Sequence, residues 1–334
     1  MSGITYKESG VDIQAGEESV RKIKSLVQQT FRSEVLTDIG LFGGLFRANF
    51  DGYRKPVLVS SVDGVGTKLK VAFAMNRHDT IGEDLVNHCV NDILTSGAKP
   101  LFFLDYLSLG EVYPDRIADI VSGFVRGCKH SNCALIGGET AEMSDLYRPG
   151  EYDVAGTIVG IVEEDKIISG KTITKGDILI GLASNGLHTN GYTLARRVLF
   201  DRAGLKVDSF VEELNQTIGE ALLSVHKCYL NLVSPLIDRF EIKGIAHITG
   251  GGIVGNLSRI VPAGLKIKID WKSWPRPAIF ELIQKSGDVP EDDMRRTFNL
   301  GIGMILVVAP ENADAVGLAI ENSGEKARVI GAIE

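Results

Sequence analysis

Residues 56–68 read PVLVSSVDGVGTK, and this stretch decides the type of fold that the first half of the chain adopts. Residues 56–62 form a short apolar run rich in valine, which is typical of a buried β-strand. The run stops at a turn with two glycines, after which LKVAFAM resumes an apolar run. A strand that ends in such a turn favours an α/β arrangement if helices and strands continue to alternate.

Outward from this stretch the alternation does continue. Upstream, residues 17–31 have the periodicity of an amphipathic helix. Downstream, the pattern predicts helices at 79–97 and 114–130, the second opened by Pro114, and strands at 101–107, 133–136 and 152–163. The first half is therefore predicted to be an α/β domain with a sheet covered by helices.

The second half is also predicted to mix helices and strands. Strands are expected at 177–184, 243–249, 265–270, 299–309 and 326–333, and helices at 193–203, 216–240, 277–286 and 311–323. With 334 residues the chain exceeds the size at which one core usually keeps growing, so two domains are expected. We place their boundary between 165 and 176, which gives domains of 1–168 and 169–334.

The composition excludes several classes of protein. The chain is 44% hydrophobic and 24% charged with a net charge of −7, and it has no dense Lys/Arg block. It therefore lacks the basic patch that binding to nucleic acid or an anionic membrane requires. Its start has no leader pattern and no apolar run is long enough to span a bilayer, so we expect a cytoplasmic protein. The four cysteines form no C-x-x-C pair and are expected to be buried thiols.

Four strands are predicted to run into glycine-rich polar turns: VSSV-DGVGTK, ALI-GGET, GLAS-NGLHTNGY and HIT-GGG. In such turns backbone N–H groups converge on an anion, and glycine permits its close approach. Four of them predict a phosphate-rich ligand. The chain has no G-x-x-x-x-G-K-[ST] motif, so ATP would occupy another type of site.

The DGVGTK turn combines a carboxylate, a hydroxyl and an ammonium around two glycines. This set suits a metal-bound nucleotide, with Asp63 on Mg²⁺, the amides of Gly64 and Gly66 on phosphate oxygens, and Lys68 on developing charge. The alternative is an ordinary turn with a surface lysine.

Other carboxylates and histidines are candidates for the same chemistry. The predicted helix 79–97 carries a polar stripe that is usually its solvated face, although Asp92 next to an apolar zone could share a metal with Asp63. Asp105 and Glu139 lie at strand ends among apolar residues, where a charge should be paired or metal-bound. His188 lies among hydrogen-bonding groups that fit acid–base or phosphate contact, whereas His247 is more typical of a core histidine. His78, His130 and His226 are interpreted as surface or packing residues.

One motif indicates a different class of protein. Residues 250–255 satisfy G-x-G-x-x-G after a predicted strand, and Asp270 lies 20 residues beyond Gly250, which is formally a dinucleotide fingerprint. Against it, Pro262 shortens the following helix. An NAD-dependent oxidoreductase is therefore an alternative that depends on this match alone.

Nine strings in order along the chain resemble the motifs of the phosphoribosylformylglycinamidine cyclo-ligase (AIR synthetase) family. They extend from Tyr6 to Gly331 and are YKESGVDIQAG, SSVDGVGTKLK, HDTIGEDLVNHCVNDIL, PLFFLDYL, IGGETAEM, YDVAGTIVG, ASNGLHTNGY, HITGGG and RTFNLGIGM. The resemblance implies a homodimer whose N-terminal α/β domains share a sheet and whose C-terminal domains are α+β. It also implies Mg-ATP and formylglycinamidine ribonucleotide as ligands, with aminoimidazole ribonucleotide, ADP and phosphate as products.

The resemblance further implies roles for particular residues. Nucleotide binding is expected of Gly43, Gly44, Asp63, Gly64, Gly66, Thr67, Lys68, Asn87, Asp105 and Gly138, and metal binding of Asp63, Asp92 and Glu139. Substrate binding is expected of Ser184, Asn185, Gly186, His188, Thr189, Asn190, Gly250, Gly251 and Gly252. Catalytic contacts are expected of Lys68, His188 and His247. The segment containing Gly43 and Gly44 is expected to close over the nucleotide.

Relatives of the same superfamily remain as rivals. A selenophosphate synthetase would need a reactive cysteine in an N-terminal glycine-rich loop, but the first cysteine here is Cys89. A thiamine-phosphate kinase would share the acidic metal site but should lack the ASNGLHTNGY and TAEM strings. From a different class, a non-catalytic nucleotide-binding module is a further alternative, and it would bind ATP without substrate-dependent turnover.

Overall fold

The computed structural model describes residues 9–334. Residues 1–8 lie outside the described residues. They include Tyr6, where the family resemblance begins, and the start of the chain that was judged to have no leader pattern. The described chain forms two compact units, one of residues 9–90 and Pro100–Ile161 and the other of Asn91–Lys99 and Val162–Glu334. Each unit is therefore built from two separate stretches of sequence.

The first unit is a four-stranded sheet with helices, as the alternation predicted. Its elements are α1 (Ile13–Gln28), β1 (Pro56–Gly64), α2 (Leu69–Met75), most of α3 (Ile81–Leu94), of β2 (Lys99–Leu109) and of β4 (Tyr152–Glu163), and all of α4 (Pro114–His130) and β3 (Ala134–Glu142). The strand order is β1-β4-β2-β3, and β2 and β3 are parallel. Helix α1 begins after Asp12, whose carboxylate accepts a hydrogen bond from the Ala15 amide, and α4 begins at Pro114.

Strand β1 lies at the edge of this sheet and exposes apolar side chains. Leu58 is 57% exposed and Val62 is 66% exposed. The residues between them on the other face of the strand are half-buried. A long edge strand with exposed apolar residues is a ready surface for pairing with another chain.

The second unit contains a five-stranded sheet and has the α+β character that was expected of it. Its elements are β5 (Ile178–Ala183), α5 (Tyr192–Arg196), β6 (Phe210–Val211), β7 (Gln216–Thr217), α6 (Ile218–Leu223), α7 (Leu230–Arg239), β8 (Gly244–His247), α8 (Gly252–Leu257), β9 (Ile267–Ile269), α9 (Ala278–Gly287), α10 (Glu291–Thr297), β10 (Ile302–Val308), α11 (Pro310–Asn322) and β11 (Ala327–Ile333). The strand order is β8-β10-β5-β11-β9, and every neighbouring pair is antiparallel.

This sheet overturns the dinucleotide-binding alternative. The G-x-G-x-x-G match follows β8, whose neighbour β10 is antiparallel to it. A dinucleotide fingerprint requires parallel strands joined through the helix. Instead, Gly252 is needed because a Cβ there would collide with the backbone oxygen of Arg295.

The predicted helix 216–240 is wrong, because two short helices occupy this region. Helix α6 begins with a capping box in which Thr217 and Glu220 exchange hydrogen bonds, and it ends at Leu223. Residues 224–229 are not helical, and α7 follows. The prediction also missed α10 and the small hairpin of β6 and β7.

The polar stripe on α3 is not a solvated face. Asp84 and Asn91 have no exposed surface, and Asn87 and His88 are each 4% exposed. Buried polar groups must find partners inside the protein, so this helix contributes polar side chains to the interior rather than to the surface.

Two further predictions can be compared with the described residues. Cys89, Cys128 and Cys133 are buried, Cys228 is half-buried, and no disulfide joins them within residues 9–334. Within residues 9–334, no helix combines the length and the apolar character that crossing a bilayer would require.

Candidate active site

The first unit contains a cavity of about 1170 Å³. It is lined by α1, by the segment 38–46, by residues 102–105 in the middle of β2 and by residues 135–142 of β3. Five residues that were predicted to bind nucleotide or metal line it, namely Gly43, Gly44, Asp105, Gly138 and Glu139. The IGLFGGLF segment and the GGET residues, which are far apart in sequence, therefore meet at one cavity. The GGET residues belong to strand β3, so the turn predicted there is wrong.

Two glycines of this cavity are required by close packing. The parallel register places Asp105 opposite Gly138, and a Cβ on Gly138 would collide with the Asp105 carboxylate. A Cβ on Gly44 would lie 2.5 Å from the backbone oxygen of Ile136, whereas Gly43 faces open space. Glycine at 44 and 138 thus lets the backbone approach the cavity closely.

All of the charged side chains that the described residues contribute to the cavity wall are carboxylates: Asp12, Asp38, Asp105, Glu139 and Glu142. Glu142 accepts hydrogen bonds from the amides of Asp12 and Val112, and Asp38 accepts from Gln28. Glu139 is exposed. Burial, with a smaller contribution from the charge of Glu139, raises the pKa of Asp105 to about 7. Two neighbouring carboxylates in this environment favour binding of a cation.

The DGVGTK turn does not line this cavity. Asp63 accepts a hydrogen bond from the Gly64 amide at 2.7 Å, and its other oxygen lies 2.9 Å from Nε2 of His88. Gly66 adopts a left-handed conformation with φ +63°, and Thr67 is exposed. His88 was not singled out by the sequence, because it lay within a helix face interpreted as solvated.

The surroundings of Lys68 contradict the phosphate contact predicted for it. Lys68 is completely buried, and its ammonium is 2.8 Å from Oδ1 of Asp84. Burial lowers the pKa of Lys68, although the charge of Asp84 opposes this. Its ammonium is thus committed to an internal ion pair and does not face a triphosphate. Asn87 is buried in α3 and is not among the residues that line the cavity, and its nucleotide-binding role stays a prediction.

In the second unit, the NGLHTNGY and GGG loops that were predicted to bind substrate lie together. The Asn190 side-chain oxygen accepts a hydrogen bond from the Gly250 amide at 3.0 Å. Gly251 and Gly252 follow with φ values of +98° and +66°, which glycine adopts without strain. The loops that contain residues 188–190 and 250–252 are therefore neighbours within the second unit.

Asn299 supports the first part of the same loop and was missed by the sequence prediction. Its side-chain oxygen accepts from the Ser184 hydroxyl at 2.9 Å, and its side-chain nitrogen donates to the Gly186 carbonyl at 2.9 Å. Asn185 donates to the Val225 carbonyl at 2.7 Å. Asn299 belongs to the RTFNLGIGM string, which was used above only for the family resemblance. This string thus supplies the residue that holds the loop at 184–186 in place.

His188 has a strained backbone and a buried ring. Its φ is +60°, which is uncommon for a residue other than glycine. Its side chain is 1% exposed and stacks on His226 with ring centres 4.1 Å apart and an angle of 22° between the rings. Strain of this kind is often found at functional sites, and it fits the proposed acid–base role of His188.

His247 and Asp92 lie together in the second unit. Nδ1 of His247 lies 2.8 Å from Oδ1 of Asp92, and Nε2 of His247 lies 3.0 Å from Nε2 of His226. The catalytic contact expected of His247 and the metal binding expected of Asp92 stay predictions. His226, which was interpreted as a surface or packing residue, is fully buried between these groups.

The fold and the two loop systems define a class of protein, and comparison with known families agrees. Residues 51–162 match the family described as AIR synthase related protein, N-terminal domain, and residues 174–334 match its C-terminal domain. The chain is thus a protein of the AIR synthase-related class with both domains.

The particular family follows from relatives that match over almost the whole length. Phosphoribosylformylglycinamidine cyclo-ligases of Trichlorobacter lovleyi and Syntrophotalea carbinolica are 53% and 54% identical over 99% of this chain and cover 95% and 94% of their own lengths. The cyclo-ligase of Brevibacillus brevis is 50% identical over 98% of this chain and 95% of its own length. The chain belongs to the phosphoribosylformylglycinamidine cyclo-ligase family.

Solved structures of other proteins share the fold. Thiamine-monophosphate kinase from Stenotrophomonas maltophilia superposes with a TM-score of 0.71 at 20% identity, covering 94% of this chain and 93% of its own. The hydrogenase maturation protein HypE of E. coli gives a TM-score of 0.65 at 17% identity over 93% and 89% of the two chains. These similarities establish the fold of the chain, and they do not indicate its substrate.

Proposed function

We propose that this chain catalyses the ATP-dependent closure of formylglycinamidine ribonucleotide to 5-aminoimidazole ribonucleotide, with release of ADP and phosphate. The observation that carries the proposal is the identity of 50% or more, over nearly the full length, to proteins named for this activity. The glycine-rich loops and the acidic cavity support it independently, because both suit a reaction between two phosphate-bearing ligands.

The cavity of the first unit fits Mg-ATP. Its volume of about 1170 Å³ leaves room for a nucleotide, and α1 and the segment 38–46 contribute apolar side chains suited to a base. Because the charged side chains of its described wall are all acidic, a triphosphate would be repelled unless a divalent cation lay between. Asp105 and Glu139 would hold Mg²⁺, and the Gly43, Gly44 and Gly138 backbone would lie against the nucleotide.

The DGVGTK turn is proposed as a second cation and phosphate contact. Asp63 keeps a partly exposed carboxylate, and Gly66 and Thr67 present backbone and hydroxyl groups at the surface. Lys68 supports this turn from inside through Asp84 rather than by touching phosphate.

The loops of the second unit would hold the ribonucleotide. Residues 184–190 and 250–252 present amide, hydroxyl and backbone N–H groups, which suit a sugar phosphate. ATP supplies the phosphoryl group that turns the formyl oxygen into a leaving group before the amidine nitrogen closes the ring. The protein must orient this nitrogen, neutralise phosphate charge and move one proton, and His188 is the histidine proposed to contact the reacting groups.

The assembly and location are also proposals. The exposed apolar residues of the edge strand β1 support a homodimer in which the sheets of two copies join. We propose domains of 1–168 and 169–334, which the two family matches support. The composition supports a cytoplasmic protein that binds neither nucleic acid nor membrane.

The test is substrate-dependent ADP release from Mg-ATP and formylglycinamidine ribonucleotide, with the aminoimidazole product detected by diazotisation in the same sample. Equal amounts of both products are expected. ADP formed without the imidazole would refute the cyclo-ligase activity and favour a kinase of the same fold. Loss of both products in Glu139→Gln, with Asp145→Gln as the surface control, would tie the activity to the cavity.

A further inference from the structure

Two buried cysteines, Cys128 and Cys133, lie at the end of helix α4 in the first unit. The helix ends at His130, with Ser131 as its cap. Asn132 then adopts a left-handed conformation with φ +50°, and strand β3 begins two residues later. The two cysteines are therefore separated by one tight turn. Neither of them has a part in the proposed function.

The hydrogen bonds of this turn form a Schellman motif. The amide of Cys133 donates to the carbonyl of Cys128 at 2.8 Å, and the amide of Asn132 donates to the carbonyl of Lys129 at 3.3 Å. In this motif the side chains of the two residues joined by the longer-range bond commonly contact each other. Here both of these residues are cysteine. Burial raises the pKa of the Cys128 thiol, and the neighbouring Cys133 side chain raises it as well, which agrees with this contact.

The backbone of the turn fits a disulfide without rearrangement. With standard bond lengths, the bond of 2.8 Å from the Cys133 amide to the Cys128 carbonyl keeps the two Cα atoms within about 6.7 Å of each other. Disulfides join residues whose Cα atoms are about 4.4 to 6.8 Å apart. The chain beyond the turn is also held, because the Leu135 amide donates to the Thr30 hydroxyl at 2.9 Å. Closing the link therefore requires rotation of the side chains and little movement of the backbone.

The thiols are covered by a turn that itself lies at the surface. Lys129, His130 and Asn132 are exposed, whereas Cys128 and Cys133 are 0% and 1% exposed. A buried thiol of raised pKa is unreactive, so a reagent must wait until the helix end opens. Helix ends open with a smaller free energy than the core of a domain. We therefore expect slow oxidation that follows local opening of the Schellman motif.

A metal ion is the competing explanation for two adjacent cysteines. A structural zinc site needs four ligands, which are mostly cysteine and histidine. Within residues 9–334, the groups of three or more potential metal ligands include neither Cys128 nor Cys133. The third cysteine of this unit, Cys89, donates to the Gly156 carbonyl at 3.7 Å. Two thiols without further ligands favour a disulfide over a metal.

We propose that Cys128 and Cys133 are a modification site, at which a peroxide forms an intrachain disulfide that locks the end of α4. The Cys133 sulfur attacks one oxygen of hydrogen peroxide, the O–O bond breaks, and the thiol proton leaves with the hydroxide as water. The Cys128 sulfur then attacks the resulting sulfenic acid, the S–O bond breaks, and a second water leaves as the S–S bond forms. The two thiols lose two electrons and the peroxide gains them. A dithiol reductant reverses the reaction.

The first test uses the full-length wild-type protein. It is treated with hydrogen peroxide, alkylated in denaturant and digested with trypsin. Trypsin cuts after Arg126 and Lys129, so a disulfide would join the tripeptide 127–129 to the peptide that begins at His130. We expect mass spectrometry to find this linked pair, and prior reduction with dithiothreitol to remove it. Alkylated thiols at both positions after peroxide, or sulfinic acid without the link, would overturn the proposal.

The second test counts thiols in the unfolded protein and identifies the reacting pair. A Cys228→Ser background removes the half-buried cysteine and leaves three thiols, of which oxidation should remove two. Adding Cys128→Ala or Cys133→Ala should prevent any loss on oxidation. Adding Cys89→Ala, the control at another buried cysteine of this unit, should still allow the loss of two. A loss of two thiols in the presence of Cys128→Ala would refute the assignment.

Hydrogen exchange tests whether the link locks the helix end. The amides of Asn132 and Cys133 donate in the Schellman motif, so they exchange when the motif opens. Oxidation should slow their exchange at least about 10-fold. The amide of Gly324, which donates to Glu321 at the end of α11 in the second unit, should exchange at the same rate before and after oxidation. Unchanged exchange at Asn132 and Cys133 in the disulfide form would refute the locking.

Discussion

The ammonium of Lys68 lies 2.8 Å from Oδ1 of Asp84, and neither side chain has any exposed surface. Removing one partner of such a pair leaves a buried charge without its counter-ion. We expect Lys68→Met to lower the free energy of unfolding in urea by about 3 to 5 kcal/mol. Lys70→Met is the matched control, because its ion pair with Glu151 is partly exposed and should contribute at most about 1 kcal/mol. If the Lys68→Met protein kept full stability but lost its affinity for ATP, the result would instead support the original prediction that Lys68 contacts phosphate.

The raised pKa of Asp105 predicts a pH-dependent stability. Because its folded pKa of about 7 lies above the ordinary value of 3.8, the fold favours the protonated form. The stability it contributes is present below pH 3.8 and is lost as the pH rises through about 7. We expect the wild type to lose about 2 to 3 kcal/mol relative to Asp105→Asn between pH 5 and pH 8. Urea unfolding at both pH values measures this, with Asp145→Asn as a surface control, and an unchanged difference would contradict it.

Adjacent glycines of the segment 38–46 should respond differently to alanine. A methyl group at Gly44 would meet the Ile136 backbone at 2.5 Å, which must shift the cavity wall, whereas a methyl group at Gly43 meets nothing within 4 Å. Gly44→Ala should weaken ATP binding at least about 10-fold, a loss of about 1.4 kcal/mol. Gly43→Ala should bind normally. Calorimetric titration with Mg-ATP distinguishes them, and equal affinities would place the nucleotide elsewhere.

Asn299 should matter for the substrate and not for the nucleotide. Replacing it with alanine removes the bonds to Ser184 and Gly186 and leaves buried backbone groups without partners. We expect Asn299→Ala to lower kcat/KM for formylglycinamidine ribonucleotide about 10- to 100-fold while the affinity for ATP stays unchanged. Asn322→Ala, on an exposed position of α11, serves as the control. If Asn299→Ala lowered the affinity for ATP instead, this would contradict the proposal that ATP binds to the first unit and the ribonucleotide to the second.

The edge strand β1 should decide the oligomeric state. Val62→Asp introduces a charge on an edge that exposes Leu58 and Val62, so two copies should no longer pair through it. Analytical ultracentrifugation should show a dimer for the wild type and a monomer for this variant. Leu318→Asp, which changes a residue 59% exposed on α11, should remain dimeric. A Val62→Asp protein that stays dimeric would exclude pairing through β1.

Elements with local signals could be predicted closely from the sequence. Helix α4 begins at Pro114 and β4 spans 152–163, as the pattern indicated. The predicted helix 216–240 failed because residues 224–229 contain no glycine or proline, and only the Thr217–Glu220 capping pair signalled that a helix begins at 218. That error also hid His226, since a histidine inside an assumed helix seemed to need no further role.

The candidate site could be predicted in its loops but not in the direction of its side chains. Gly44, Gly138 and Glu139 were found because glycines next to apolar runs, and an acid beside them, predict a ligand site, although Gly138 and Glu139 lie inside β3 rather than at its end. Lys68 was misjudged because a sequence shows that a lysine follows a glycine turn but not whether its chain points outward or toward Asp84. That depends on α3, whose buried polar side chains have the same periodicity as those of a solvated helix.

The division of the chain also bears on its synthesis. Residues 91–99 belong to the second unit, although the rest of that unit begins only at residue 162. On the ribosome this nine-residue segment emerges well before the strands and helices that surround it, while the first unit, through residue 161, is still being completed. The hydrogen bonds of Asp92 and Asn91 therefore cannot form until their partners His247, Lys227 and Tyr229 have been translated. A fragment cut at residue 168 would carry these polar side chains without the groups that satisfy them.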